Sequence, residues 1–187
     1  MSRRDHGIPI VRVADEAARE GAGKLLPRLG RFVLVGQLDE DEPRGWSFGS
    51  SAMVSPTVAD EIGAGFDFER GVLYPLLKRT PTFPTVLLVG RASSNDVCIQ
   101  HHSISKLHAR IRLREDAFDV EDAGSLNGTF VGEARIERPV TVAAGDRLGF
   151  GTRDFVVHAS ARLVEGVARI GPVDAPDGYP GGELPQS

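Results

Sequence analysis

Three polar clusters mark the middle of the chain: GRASSND at residues 90–96, SKLHA at residues 105–109 and SLNGT at residues 125–129. Each cluster is rich in the glycine, serine, asparagine or aspartate that loops and turns favour. Runs of aliphatic and β-branched residues, which favour strands, lie between the clusters. The pattern therefore predicts three loops carried by short β-strands.

Further strand-like runs lie on both sides of these clusters, from about Phe66 to His158. The run Ala109–Arg114 alternates apolar and basic residues, which is typical of a strand with one face in water. The run Phe118–Glu121 alternates in the same way, and glycines recur between the runs. Turn signals at spacings of roughly 8–12 residues favour a sandwich. We predict an all-β fold, a β-sandwich of two antiparallel sheets.

The composition along the chain predicts three segments. Residues 1–64 form a mixed N-terminal extension, in which we expect a helix from Asp15 to Leu26 that Pro27 ends, and a strand at Arg31–Gln37. Residues 65–161 form the sandwich. Residues 162–187 are rich in glycine and proline and poor in large apolar residues, so we predict a disordered tail.

The overall composition excludes several classes of protein. Hydrophobic residues make up 41% and charged residues 26% of the chain, as in ordinary globular domains. The formal net charge of -4 argues against bulk nucleic-acid binding. No membrane span, signal peptide or zinc-type Cys/His spacing is expected, and the single cysteine, Cys98, is compatible with a reducing compartment. We expect a cytoplasmic protein with no cofactor and no metal.

The polar clusters contain the side chains that recognition of an anionic ester requires. Arg91 follows a strand directly, and its guanidinium is a rigid fork of donors that matches phosphate oxygens. The hydroxyl of Ser105 can donate to the same oxygens, and Lys106 adds a point charge. Asn127 has both a donor and an acceptor, which suits contact with an extended peptide. These residues predict a binding module.

The order and spacing of the three clusters resemble those of the forkhead-associated (FHA) domain family. The third cluster carries the resemblance as part of a longer run, DAGSLNGTFV at residues 122–131. The resemblance covers about Phe66 to Ala161. It implies an FHA-like β-sandwich that reads phosphothreonine in a partner protein. It also implies an adaptor in Ser/Thr-kinase signalling whose partner is a kinase, a kinase substrate or another copy of the chain.

The resemblance assigns roles residue by residue. Arg91 and Ser105 match the two phosphate-binding positions, and Lys106 matches a third basic position that also reaches phosphate. Asn127 matches the residue that holds the peptide main chain, and His108 matches a histidine that braces the loops. Gly90 and Gly128 match glycines of the family pattern. From their loop positions, we read Asp96 and Asp122 as loop-bracing carboxylates.

The resemblance further implies a peptide-selectivity loop formed by Ser103, Ile104 and Leu126. In the family this region helps to select the residue three positions after the phosphothreonine. Leu126 lies where threonine or serine is common, so a side-chain hydroxyl contact is absent. The usual Val-Asn-Gly after the next strand is Val-Gly-Glu here, at residues 131–133, which should alter a turn. We hypothesise that His101 and His102 add pH-dependent charge to the loop.

Two alternatives to a phosphothreonine reader stay open at the level of sequence. One is a structural or assembly protein that holds partners through its strand faces without phosphate. The other is a hydrolase with Ser105, His108 and Asp122 as its triad, but no G-x-S-x-G surrounds the serine. A glycine-rich segment at residues 21–24 lacks the first glycine and the final hydroxyl of a P-loop. We expect no enzyme.

Overall fold

The computed structural model describes residues 7–37, 70–79 and 86–169. The elements before the first gap are β1 (Ile8–Pro9), α1 (Ile10–Glu20), α2 (Ala22–Leu29) and β2 (Phe32–Gln37). The strands that follow are β3 (Gly71–Pro75), β4 (Leu87–Gly90), β5 (Val97–Cys98), β6 (Ala109–Leu113), β7 (Ala117–Asp122), β8 (Thr129–Val131), β9 (Ala134–Arg135), β10 (Val140–Ala143), β11 (Arg147–Phe150) and β12 (Arg153–Ala159). A third helix, α3 (Ser160–Ala168), ends the described chain.

Two sheets form a sandwich. Among the described residues, the larger sheet has seven strands in the order β1-β3-β2-β12-β11-β8-β9, and the smaller has five in the order β10-β7-β6-β4-β5. Neighbouring strands are antiparallel in every pair except β4 and β5, which run parallel. The predicted all-β sandwich is therefore confirmed.

The main core lies between the two sheets. Phe32 of the larger sheet meets Phe118 of the smaller sheet edge to face, with ring centroids 5.6 Å apart. Phe150 and Phe155 lie in the same buried cluster, along with Val120. Burial of such side chains stabilises a fold by about 1.5–3 kcal/mol each. This packing fixes the strands whose ends carry the polar loops.

The strand predicted at Arg31–Gln37 is present as β2, and it lies inside the larger sheet between β3 and β12. Its apolar residues are continuous because both faces are covered. Phe32 and Leu34 face the main core, while Val33 and Val35 join a second core beneath the helices. The predicted boundary between residues 64 and 65 lies outside the described residues and stays a prediction. The extension nevertheless supplies a central strand of the sandwich.

The helical layer differs from prediction in two places. Pro27 does not end a helix, because it lies inside α2, and the break falls instead at Gly21 with φ of 82°. Burial of Leu25 and Leu29 offsets the backbone hydrogen bond that a proline cannot donate. The tail predicted from residue 162 is also wrong for its first part, since α3 buries Leu163 and Val167. The rest of the predicted tail, residues 170–187, lies outside the described residues.

None of the helices in the described part of the chain has both the length and the apolar character that crossing a membrane requires.

Candidate functional site

Four polar loops converge at one end of the sandwich, although they are distant in sequence. The N–H groups of Arg91 and Ala92 donate to the carbonyls of Ser105 and Lys106, at 3.0 and 3.2 Å. Leu126 N–H donates to Ser105 Oγ at 3.1 Å, which joins the third cluster to the second. The turn at residues 151–152 completes the group through Gly151 N–H, which donates to the Gly128 carbonyl at 3.0 Å. The three predicted clusters therefore form one continuous surface.

Gly90 permits the close approach of the first two loops. A Cβ atom at this position would lie 2.4 Å from the Lys106 carbonyl oxygen and 2.9 Å from Asn95 Nδ2. The same Asn95 amide is buried and donates to the carbonyls of Ala92 and Lys106, at 3.0 and 2.6 Å. The sequence motifs did not indicate this bridging role for Asn95. Its position within a turn-rich SSND run was the available signal.

Asp96 braces the first loop from below. Its buried carboxylate accepts hydrogen bonds from Lys78 Nζ at 2.7 Å, from Leu88 N–H at 2.9 Å and from Arg79 N–H at 3.0 Å. Lys78 Nζ also donates to the Val86 carbonyl at 2.9 Å. The carboxylate is therefore fully occupied within the protein, as the predicted loop-bracing role requires.

His108 ties the second loop to the third from inside. Its Nδ1 accepts the N–H of Ser105 at 3.1 Å, and its Nε2 donates to the Gly128 carbonyl at 3.0 Å. The side chain is fully buried, and this burial lowers the pKa of His108 despite the opposing effects of the Gly128 hydrogen bond and of Asp122. Both nitrogens of the neutral ring are thus engaged by main-chain groups.

Asp122 organises the third cluster. Its carboxylate accepts from the N–H groups of Gly124 and Ser125 and from the hydroxyls of Ser125 and Thr129, at 2.6–2.9 Å. Burial alone would raise its pKa, but these hydrogen bonds outweigh burial, and the pKa of Asp122 lies below its ordinary value. Ser125 Oγ accepts Gly128 N–H in turn at 2.9 Å. The Asn-Gly corner is therefore fixed before any ligand arrives.

These contacts exclude the geometry of a hydrolytic triad. His108 meets the main-chain N–H of Ser105 rather than its hydroxyl. Ser105 Oγ accepts the Leu126 N–H and has no hydrogen bond to the imidazole among the described residues. Within residues 7–37, 70–79 and 86–169, no three His, Cys, Asp or Glu side chains are grouped to hold a metal ion.

The predicted phosphate-binding residues lie on the outer side of this scaffold. Arg91 and Lys106 are exposed. Neither side chain has a hydrogen bond or an ion pair with another described residue. Ser105 is half-buried, and its Oγ accepts the Leu126 N–H but donates to no other described residue, which leaves its proton for a ligand. Asn127 is exposed and uses one N–H to reach the Ser103 carbonyl at 2.7 Å.

The three residues of the predicted peptide-selectivity loop are placed differently from one another. Ile104 is 1% exposed and packs in the main core, and Ser103 is 4% exposed. Ser103 Oγ accepts from Thr152 N–H and Thr152 Oγ1 at 3.1 and 3.0 Å and pairs with His101 Nδ1 at 2.8 Å. The side chains of Ser103 and Ile104 therefore support the loop from within, and the assignment of this loop to peptide selectivity stays a prediction. Leu126, by contrast, is 85% exposed.

A model of the FHA domain family matches residues 87–151. The glycogen accumulation regulator GarA of Mycobacterium tuberculosis is 37% identical over 62 residues, which cover 33% of this chain and 38% of GarA. The oxoglutarate dehydrogenase inhibitor of Corynebacterium efficiens is 36% identical over 90 residues, or 44% of this chain and 59% of that protein. The chain thus spans only part of the length of these relatives. The FHA domain of CT664 from Chlamydia trachomatis aligns with a TM-score of 0.43 and 22% identity, covering 69% of this chain and 97% of that structure.

The family match coincides with the part of the sandwich that carries the three loops, from the start of β4 to the turn after β11. The order of the loops and the contacts between them agree with the resemblance that the sequence motifs indicated. Residues 87–151 of this chain match the FHA domain family.

Proposed function

We propose that this chain is an adaptor that binds phosphothreonine segments of partner proteins in Ser/Thr-kinase signalling. The observation that carries the proposal is the grouping of Arg91, Ser105 and Lys106 on hydrogen-bonded loops. Two exposed cations that pair with no acidic side chain of the described residues lie there, beside a hydroxyl that donates to none of them. Two relatives named as a regulator and an inhibitor are consistent with a protein that acts by binding.

In this proposal the phosphate is held by three groups of different chemistry. The Arg91 guanidinium supplies a forked pair of donors, Lys106 supplies a compact charge and Ser105 supplies a hydroxyl. Each charge-assisted hydrogen bond contributes about 1.5–3 kcal/mol before other costs. A short phosphopeptide then binds at micromolar affinity, on the order of 8 kcal/mol.

Asn127 would order the main chain of the bound peptide. Its Oδ1 and its second amide proton are directed to the ligand in this account, because the first amide proton is used by the Ser103 carbonyl. His108 and the two glycines act only through the loops: Gly90 lets the first two approach, and His108 holds Gly128 by its carbonyl. The bound geometry is therefore pre-formed, which lowers the entropic cost of binding.

The proposed partner is a phosphothreonine-containing Ser/Thr kinase or a substrate of one, in the cytoplasm. We assign the domain no catalytic step, since Ser105, His108 and Asp122 are held by loop contacts rather than arranged as a triad. As an adaptor, the chain would bring the phosphorylated protein to a second protein that the chain also binds.

A titration with a degenerate phosphothreonine peptide library, and with its unphosphorylated counterpart, tests the proposal. We expect the full chain to bind only the phosphorylated library. Arg91→Ala should weaken that binding by about 10- to 100-fold, as expected for the loss of charge-assisted hydrogen bonds. Arg162→Ala is the matched control, because Arg162 is an exposed arginine on α3.

The second candidate function is a phosphate-independent assembly scaffold. The observation that favours it is Leu126, whose 85% exposed side chain offers apolar contact that needs no phosphate. The same titration separates the two functions. Equal affinity for phosphorylated and unphosphorylated ligands, with no effect of Arg91→Ala, would support the assembly scaffold. It would contradict the proposed phosphothreonine-binding function.

A further inference from the structure

We infer that Arg135 is a further specificity residue of this site, and that it selects phosphothreonine ligands carrying a second anionic group close to the phosphothreonine. The second group is a carboxylate or another phosphate. This inference rests on the proposed function, because it assigns a preference to the same ligand. Arg135 was not among the site residues that the sequence motifs indicated.

The β8–β9 hairpin returns Arg135 to the Asn-Gly corner. Arg135 pairs with Phe130 across the hairpin, and the next residue, Ile136, donates its N–H to the Thr129 carbonyl at 2.9 Å. The side chain lies over Gly128, where a Cβ atom would be 2.6 Å from Arg135 Nε and 3.1 Å from its Cζ. Gly128 has φ of 87°, so the corner favours glycine for its backbone as well as for this contact.

The guanidinium is therefore held against the residue that directly follows Asn127. Arg135 is exposed and makes no hydrogen bond or ion pair with another described residue. Glu133 and Glu137 lie two residues away on either side and are exposed, and neither forms a salt bridge with it. Cδ, Nε and Cζ pack on the loop, while the two terminal amino groups of the guanidinium are left for another partner.

The surrounding charges favour an anion at this place. The chain as a whole has a formal net charge of -4. Arg91 and Lys106 nevertheless lie on two loops that are hydrogen-bonded to each other, and Arg135 packs against Gly128 of the third. The nearby carboxylates do not neutralise them: Asp122 is occupied by Ser125 and Thr129, and Asp96 by Lys78. One phosphate placed on Arg91, Ser105 and Lys106 leaves the Arg135 charge uncompensated. A second anion on the ligand would compensate it.

A positional scan tests the inference. The parent is a phosphothreonine peptide with alanine at every flanking position from three before to four after the phosphothreonine. One position at a time is changed to aspartate, or to phosphoserine in a second series. For the wild-type chain we expect one or two adjacent positions at which the acidic residue strengthens binding by about three- to five-fold, the range of a rim ion pair. A larger gain in the phosphoserine series alone would identify a second phosphate as the preferred group.

The variants are Arg135→Gln, which keeps the packing on Gly128 and removes the charge, and Arg135→Glu. We expect Arg135→Gln to abolish the acidic preference while leaving affinity for the alanine-flanked parent within about two-fold. Arg135→Glu should reverse the preference, so that lysine at the same position now binds better. Arg162→Ala should keep the wild-type preference.

An acidic preference of the same size in Arg135→Gln and in the wild type would overturn the inference, as would the absence of any preferred position. Both results leave the proposed function intact, provided that binding still requires the phosphothreonine and Arg91. Loss of phosphate dependence in the wild-type chain would instead contradict the proposed function itself. Thermal unfolding of each variant checks that the Gly128 corner is preserved.

Discussion

His108 and His158 are two imidazoles whose burial lowers the pKa below the ordinary value of 6.5. His108 is fully hydrogen-bonded to the loops, whereas His158 Nε2 is buried with no hydrogen-bond partner among the described residues. In both, the folded protein binds a proton less readily than the unfolded chain. Each residue therefore contributes stability that is complete above the unfolded pKa and is lost as the pH falls.

We expect the free energy of unfolding to decrease as the pH is lowered from about 6.5, by at most about 1.4 kcal/mol per pH unit for each histidine. The measurement is urea unfolding at a series of pH values. His158→Leu should reduce the slope, because it removes one of the two imidazoles whose pKa burial lowers. A slope unchanged in His158→Leu would contradict this account. Asp119 and Asp122, whose pKa values are lowered, act in a separate window at more acidic pH.

At the scale of elements, the contact between the end of β4 and the SKLHA loop depends on Gly90. A Cβ atom there would meet the Lys106 carbonyl oxygen at 2.4 Å, and main chain cannot move aside as a flexible side chain can. We expect Gly90→Ala to lower the free energy of unfolding by about 1–3 kcal/mol, as overpacking does. It should also weaken phosphopeptide binding, because Arg91 and Lys106 are displaced from each other.

Gly23→Ala is the matched glycine substitution. Gly23 lies inside α2, and a Cβ atom there would have no neighbour within 4 Å. The change should raise the free energy of unfolding by about 0.5–1 kcal/mol, because alanine loses less backbone entropy in a helix than glycine does. Chemical unfolding measures the change in free energy of unfolding for both variants. Equal changes in Gly90→Ala and Gly23→Ala would contradict a close approach of main chain at Gly90.

The elements also show what the sequence could and could not predict. Residue types and order were enough to predict the loops around Arg91, Ser105 and Asn127, because glycine, hydroxyl and amide side chains have few other uses in such short runs. The sequence could not show that Ile104 turns into the core, because a single apolar residue in a polar loop is compatible with both core packing and ligand contact. Helix α3 was missed because its short apolar face, which includes Leu163 and Val167, is followed directly by glycine- and proline-rich sequence.

At the scale of the whole molecule, the N-terminal residues are part of the sandwich rather than an accessory to it. Strand β2 lies between β3 and β12 and supplies Phe32 and Leu34 to the main core. A chain that begins at residue 65, the predicted start of the domain, would lack β2. Strands β3 and β12 would then lose the strand between them, and a large cavity would remain. Cavities of one such side chain alone cost about 2–5 kcal/mol.

We therefore expect a chain beginning at residue 65 to lack a cooperative unfolding transition, as monitored by circular dichroism in urea. The matched truncation ends at residue 169 and retains every described element. If the prediction of a disordered tail is right, this second chain unfolds at the same urea concentration as the full chain. Cooperative unfolding of the first chain at full stability would show that β2 is dispensable.

In the proposed function, Arg91 and Lys106 on the first two loops recognise the phosphate of a phosphothreonine. Calorimetric titration of one library-selected phosphopeptide and its unphosphorylated twin, against the wild type and Arg91→Ala, tests it as a double-mutant cycle. We expect loss of the phosphate to abolish most of the binding to the wild type. In Arg91→Ala, where Ser105 and Lys106 remain, the same loss should cost about 10- to 100-fold less. Equal effects of removing the phosphate in both proteins would show that Arg91 and the phosphate do not interact, and would contradict the account.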